Sequence, residues 1–426
     1  MRRLYSLVLS CAAPFAFAVV LWRGLRDRSY WQGLEERFGW GRRMSTPTVW
    51  LHAVSLGEMS AAAPLIRAMR TQHPEIPLLL TTATPAGRAR GQALLGANAD
   101  VRFLPYDTPG SVRRFLARIR PRLAIIMETE LWPNLLGQCE RLGVPVVLAS
   151  ARLSAKSVSR YRRLGKLFSS VFTANVQVAA QSAEDAGRFQ AIGAAPARTH
   201  VAGNVKFDLQ LDPQILDRGR RLRAAFGELR PVWIAGSTHA GEEEQLLDAH
   251  AALLAERPDT LLLLVPRHKD RFAAVAELLA RRGVRFVRRS GGIAPDEGCQ
   301  VLLVDSVGEL AELYASADVA FVGGSLVAVG GHNLLEPAAL GLPVLTGPHY
   351  SSSREIALLL LERGAALQVK DARELKSVLR RLLHDPAERG RIGAIGKQIV
   401  ESNRGSVARL LALIEPRLAD SPSATR

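Results

Sequence analysis

The chain has 426 residues, 48% of them hydrophobic, and 56 Lys and Arg against 40 Asp and Glu give it a formal net charge of +16. That length exceeds one ordinary core and calls for two domains, and the apolar fraction excludes a disordered chain. The positive excess favours anionic partners, either phosphorylated small molecules or a membrane surface, and no motif points to nucleic acid.

An uncharged run over residues 4–22 opens the chain, with Arg2 and Arg3 before it and Arg23 and Arg26 after it. It has about the length of the roughly 20 residues that cross a bilayer core. Pro14 and the alanines equally suit a helix lying in the membrane plane. Ala16-Phe17-Ala18 has the small-residue pattern of a signal-peptide cleavage site, but arginines directly after the run favour an uncleaved anchor with cytoplasmic retention. Cys11, Cys139 and Cys299 show neither disulfide nor metal spacing and read as incidental thiols.

Beyond the anchor, strand-length apolar runs alternate with helical patterns. The first series is "TVWLHAV", "PLLLTT", "LAIIMETE", "VPVVLAS", "VQVAAQS" and "HVAGN". Runs this continuous suit strands buried on both faces of a parallel sheet, which predicts a doubly wound α/β domain. Ligands of such sheets bind where strands end and helices begin. After the first run comes "SLGE", with Ser55, Gly57 and Glu58 opening a helix. Glu58 there is either a first-turn carboxylate favoured by the helix dipole or a general base. "ETELWPN", residues 128–134, puts Glu128 and Glu130 at the end of a buried strand, which is costly unless they meet solvent, a partner or a ligand. "SARLSAKSVSRYRRLG", residues 150–165, carries Arg152, Lys156, Arg160, Arg162 and Arg163, a solvated face or a surface for anionic lipid head groups.

The charged stretch 207–230 holds no strand-like run and marks the break between domains. The second series is "PVWIAGS", "TLLLLVP", "VRFVRR", "QVLLVD", "DVAFVGG" and "LPVLTG". "GSTHAGEEE" places Gly236, Ser237 and Thr238 at a strand-to-helix turn suited to a phosphate, with Glu242, Glu243 and Glu244 read as helix-start residues. "PRHKDRF" ends a strand with Arg267, His268 and Lys269, a basic loop or an anion site. "FVGGSLVAVGGHNLLEP", residues 321–337, sets Gly330 and Gly331 before His332 and Asn333, with Glu336 positioned to accept hydrogen bonds from a ribose diol.

These motifs, in this order and over nearly the whole length, resemble the 3-deoxy-D-manno-octulosonic acid (Kdo) transferase family of GT-B glycosyltransferases. The resemblance implies two Rossmann-like domains facing a cleft, an α/β GT-B fold. Its parts would be an anchor over 1–30, an acceptor-binding domain over 31–210 and a CMP-sugar-binding domain over 211–403. A helix within 404–426, packing back on the first domain, and a tail would follow. It implies an inverting transfer from CMP-Kdo to a lipid A precursor (lipid IVA) in lipopolysaccharide core biosynthesis, at the cytoplasmic side of the inner membrane, with no cofactor and no obligatory metal. Carried over by motif, Glu58 becomes the general base and Glu130 a second catalytic carboxylate. The donor would meet Gly236, Ser237, Thr238, Arg267, His268, Gly330, Gly331, His332, Asn333 and Glu336. Ser55, Gly57, Glu128, Arg152, Arg160, Arg162 and Arg163 would face the acceptor or the membrane. Competing readings are a nucleotide-sugar 2-epimerase of the same fold, a transferase with another donor, and a membrane-tethered nucleotide-sugar binding protein.

Overall fold

The computed structural model describes residues 1–96, 100–209 and 211–419. Among them the apolar runs form two seven-stranded sheets. The first holds β1 (Thr48–His52), β2 (Leu78–Thr82), β3 (Asp100–Phe103), β4 (Pro121–Met127), β5 (Val146–Ala151), β6 (Val176–Ala180) and β7 (Thr199–Val201). The second holds β8 (Val232–Thr238), β9 (Leu261–Pro266), β10 (Phe286–Arg288), β11 (Val301–Leu303), β12 (Val319–Val322), β13 (Val344–Thr346) and β14 (Ala366–Gln368). Among the described residues every strand pairing is parallel. These are the two Rossmann-like sheets of a GT-B fold.

The sequence predicted twelve of these strands; β3 and β14 are additional, and both are sheet edges. Their runs are short, and β3 is interrupted by Arg102, whose guanidinium pairs with Asp100 at 2.6 Å and donates to the Arg42 carbonyl. An edge strand packs against one neighbour only, so it needs no long apolar run.

The strand order is β3-β2-β1-β4-β5-β6-β7 in one sheet and β10-β11-β9-β8-β12-β13-β14 in the other. Each chain direction reverses beside the sheet's first strand, between β1 and β4 and between β8 and β12. Loops leaving these two pairs diverge, which opens a crevice at the carboxyl ends.

Successive side chains along a strand go to opposite faces. In the first sheet Trp50, Ala124, Ile126, Val146 and Leu148 enter one core, and Val49, Leu51, Leu123, Ile125 and Val147 the other. Trp50 is fully buried and satisfies its indole N–H on Thr81 Oγ1 at 2.7 Å. In the second sheet Trp233 does the same with His250 Nδ1 at 3.2 Å.

The chain divides into two compact units, one running to Asp208 and resuming at Asn403, the other spanning Leu209–Ser402. The resumption is the helix Ser406–Ala419, whose Leu410, Leu411, Ile414 and Leu418 enter the core beside Val49 and Leu51. Asp208 caps it, its carboxylate accepting from the amides of Gly405 at 2.6 Å and Val407 at 2.5 Å.

The helix Arg2–Gly24 is long and apolar enough to cross a membrane, and Gly24 is its one buried residue. Tyr5, Ser6, Leu9, Ala13, Phe17, Val20 and Gly24 are less exposed than their neighbours and recur at helical spacing. Along that stripe Tyr5 donates to Asp107 Oδ2 at 3.0 Å and Ser6 to Asn134 Oδ1 at 2.8 Å. Phe17 packs edge-on against Phe38, and Trp31 donates to the Leu21 carbonyl.

Leu410→Ala should destabilise the first unit by about 2–5 kcal/mol, the cost of a large-to-small change in a closed core. Urea unfolding followed by hydrogen exchange checks this; equal loss of protection in β8–β13 would show that the helix does not belong to the first unit alone.

Candidate active site

The β1/β4 reversal brings three carboxylates to one end of the first sheet. After β1 the chain turns at Ser55, whose hydroxyl oxygen accepts from the Glu58 amide at 3.3 Å and starts the helix Leu56–Ala61. Glu58 in return accepts from the Val54 amide through Oε2 at 2.9 Å. This reciprocal cap fixes both backbone and side chain. Gly57, in the first turn, is exposed.

Glu128 follows β4 directly, at φ +54. A left-handed non-glycine residue costs of order 1 kcal/mol and is retained only where the surroundings enforce it. Here the carboxylate is 8% exposed and accepts from Arg152 Nε at 2.6 Å and Lys206 Nζ at 3.4 Å. The Thr129 hydroxyl donates to the Arg152 carbonyl and holds the turn. Glu130 stands two residues on, half-buried. Burial first, and then the Glu58 charge, raise its pKa to about 7. Burial likewise raises Glu58 to about 7, with Glu128 adding to the rise and the Val54 amide, Lys206 and Arg152 opposing it. Two carboxyls that titrate this close together share their ionisation, so the apparent values belong to the pair.

Of the other acceptor-side residues predicted from sequence, Arg152 joins this cluster. Arg160, Arg162 and Arg163 lie exposed on the helix Ala155–Arg163, with the Arg160 guanidinium 5.5 Å from the Tyr161 ring centre. Lys206 was missed. It sits in the short 3-10 turn Val205–Phe207 after β7, capped by Asn204, between two buried apolar residues. A lysine flanked that way at a strand's carboxyl end was the available signal.

The second unit repeats the pattern at β8/β12. Ser237 (φ +61) and Thr238 are buried within the end of β8, and the Gly236 carbonyl accepts from the Gly323 amide at 2.8 Å. A Cβ at Gly236 would come within 2.2 Å of the Tyr314 hydroxyl, so these three residues build the strand end. His239 follows, with Nε2 2.7 Å from His332 Nε2 and the rings parallel within 8°. One imidazole must donate and the other accept, so the pair holds a single shared hydrogen there. The His268 ring stands 5.4 Å from that of His239, edge to face. Burial, then Arg267 and the neighbouring histidines, push His332 down to about 4, and burial and His268 lower His239. Both are neutral donors and acceptors near pH 7.

Gly330 (φ +110) and Gly331 (φ +74) turn their amides onto the Gly324 carbonyl at 3.1 and 2.8 Å, closing the loop that presents His332. Asn333 donates from Nδ2 to Glu336 Oε1 at 3.0 Å, and burial raises the pKa of Glu336 against the pull of Asn333 and Arg267. Arg267 and His268 are exposed after β9. His239 and Glu242 were missed as site residues. The glutamates read as helix-start residues are buried in part: Glu242 and Glu243 are both 0% exposed, Glu243 accepting from Thr238 Oγ1 and Arg271. No group of three or more His, Cys, Asp or Glu suited to a metal occurs among the described residues.

A family model described as 3-deoxy-D-manno-octulosonic-acid transferase matches residues 32–209, and one for glycosyl transferases group 1 matches residues 294–399. The 3-deoxy-D-manno-octulosonic acid transferase of Haemophilus influenzae is 39% identical over 421 residues, covering 98% of this chain and 99% of that protein. That of Bordetella pertussis is 40% identical over 428 residues, covering 97% and 99%. Among solved structures, a putative UDP-N-acetylglucosamine 2-epimerase from Listeria monocytogenes superposes with TM-score 0.54 at 15% identity, covering 90% of this chain and 99% of that one, a likeness of fold.

Glu58 and Glu130 bind a proton more tightly in the folded chain than in the unfolded one, where glutamate titrates near about 4.3. The stability they contribute is therefore complete below that value and is lost as pH rises to about 7. Glu58→Gln keeps the Val54 bond without that loss. Its unfolding temperature should exceed the wild type's at pH 8, with the advantage shrinking towards pH 5; a gap independent of pH would contradict the raised pKa.

Proposed function

The chain belongs to the 3-deoxy-D-manno-octulosonic acid transferase family, and from that membership we propose CMP-Kdo as donor, a lipid A precursor as acceptor and Glu58 as general base. It is a glycosyltransferase that transfers Kdo. The observation that carries the mechanistic reading is the Glu58 carboxylate, fixed at the β1/β4 reversal by its cap and tuned to about 7. A base is most effective when its pKa lies near the working pH.

In this reading Glu58 takes the proton from an acceptor hydroxyl as that oxygen bonds to the anomeric carbon of Kdo. The bond from that carbon to the phosphate oxygen breaks, CMP leaves, and the centre inverts. Arg152 and Lys206, held by Glu128, keep positive charge beside the base. Glu130 titrates with Glu58 and orients the acceptor sugar from the turn after β4. The donor carries a phosphate and a sugar carboxylate, and Arg267, His268, His239 and His332 supply donors to both. Asn333 and Glu336 suit the ribose hydroxyls. The 2-epimerase reading is not favoured, since the epimerase likeness extends to fold alone.

The N-terminal helix supports an in-plane anchor. Opposite the stripe that packs on the first unit, Leu4, Val8, Phe15, Val19 and Trp22 are exposed at helical spacing, with Leu7 beside them. A helix tied to the unit by Tyr5, Ser6 and Phe17 along its length cannot cross the bilayer without taking Asp107 and Asn134 to membrane depth. Arg160, Arg162 and Arg163 then serve the phosphates of the lipid acceptor or of anionic head groups at the cytoplasmic face of the inner membrane.

Incubation with CMP-Kdo and a lipid A precursor should add the mass of one or more Kdo residues, read by mass spectrometry, and no increment would overturn the assignment. Glu58→Gln should lower kcat by roughly a hundredfold or more. Wild-type kcat/KM for the acceptor should rise with pH and level above about 7. For the anchor, Cys11 is the exposed thiol, with Cys139 and Cys299 buried. A spin label there should sit within about 10 Å of the head-group boundary in anionic vesicles; a depth at the bilayer centre would exclude the in-plane helix.

A further inference from the structure

Consecutive backbone amides that point inward form a concave anion site, and in nucleotide-binding proteins such a nest is filled by a phosphate. The turn after β12 is built this way. The amides of Gly324, Ser325 and Leu326 converge on one point, at distances of 2.7, 3.0 and 2.9 Å from an anion. That anion is the chain's own Glu242 carboxylate, which is 0% exposed. The His239 amide gives it a fourth bond at 3.3 Å.

The contacts divide between the two oxygens. Oε2 accepts from Gly324 and His239, Oε1 from Ser325 and Leu326. One carboxylate thus joins the loop after β8 to the loop after β12. The second loop then closes on the residue so held, since Gly330 and Gly331 both donate to the Gly324 carbonyl. His332 comes next, with its Nε2 on that of His239. No slack exists at the junction: a Cβ at Gly323 would lie 2.5 Å from the Ser237 carbonyl oxygen and 2.8 Å from Glu242 Oε2.

We infer that Glu242 is a positioning residue of the donor site, acting as a resident anion that fills the 324–326 amide nest and thereby sets His332 against His239. Two consequences follow. The nest is closed to the donor, so the donor's phosphate and carboxylate are met by side chains such as Arg267 and the histidines. The spacing of the imidazole pair depends on a full carboxylate, because a glutamine turns an NH2 towards two of the four amides and leaves them buried without an acceptor.

The inference rests on donor binding by the second unit, and calorimetry with CMP separates the two claims. Wild-type protein should bind CMP; if it does not, the donor reading fails and this proposal with it. If it does, Glu242→Gln should raise the CMP dissociation constant roughly tenfold or more, a loss of about 1.4 kcal/mol. KM for CMP-Kdo should rise in parallel, with kcat and the acceptor KM changed much less. Glu244→Gln, two residues further on, should leave all of these unaltered. Wild-type affinity in a folded Glu242→Gln overturns the proposal. Should that variant fail to fold, hydrogen exchange on the wild type decides: the Gly324, Ser325 and Leu326 amides should be protected without CMP and gain nothing from it. Protection that appears only with CMP would make the nest a ligand site and Glu242 a bystander.

Discussion

A parallel sheet joins its strands only by crossovers that run over its faces, and where the direction of building reverses, adjacent strands send their loops apart. Both sheets here reverse beside their first strand, and the central groups of each candidate site lie at those two reversals. Glu58 and Glu128 follow the paired strands β1 and β4; His239 and the glycine-rich loop follow β8 and β12. The reversal supplies room and unpaired backbone. The residues decide what occupies it.

The two crevices solve the cost of buried charge in different ways. In the first unit three carboxylates sit together, and Arg152 and Lys206 pair with Glu128. Burial first, and then the neighbouring carboxylates, raise the proton affinity of Glu58 and Glu130, which suits acid–base chemistry. In the second unit the buried Glu242 carboxylate is met by four amides, and burial holds the imidazoles of His239 and His332 neutral. Burial still raises the pKa of Glu242, with the amides pulling against it.

Much of this was legible in the sequence, and the limits have a common cause. Continuous apolar runs revealed the central strands because both of their faces are covered. β3 and β14 escaped because edge strands need no such run. Ser55 and Glu58 were legible as the opening of a helix, but the proton affinity of Glu58 depends first on burial and then on Glu128, far along the chain. Lys206 meets Glu128 across 78 residues and Glu242 meets its nest across 82 to 84, so neither pairing leaves a local trace. The triple glutamate looked like helix-start chemistry because that is what three glutamates at such a place usually are. For the N-terminal helix, composition gave the apolarity; which face packs on the protein needed Asp107 and Asn134 brought alongside from later in the chain.

The return of the helix Ser406–Ala419 to the first unit has a consequence for biosynthesis. The second unit is a contiguous insertion, able to close its core as soon as its own residues have left the ribosome. The first unit begins earlier and finishes later, since Leu410, Ile414 and Leu418 complete a core whose strands were made hundreds of residues before. Glu58, Glu128 and Glu130 therefore gain their rigid support last, after the N-terminal helix has emerged and after the second unit is formed. A truncated or stalled chain would carry a closed second unit and a first unit whose core is still open, so the order of synthesis itself withholds the support of Glu58 and Glu128 until the last helix is made.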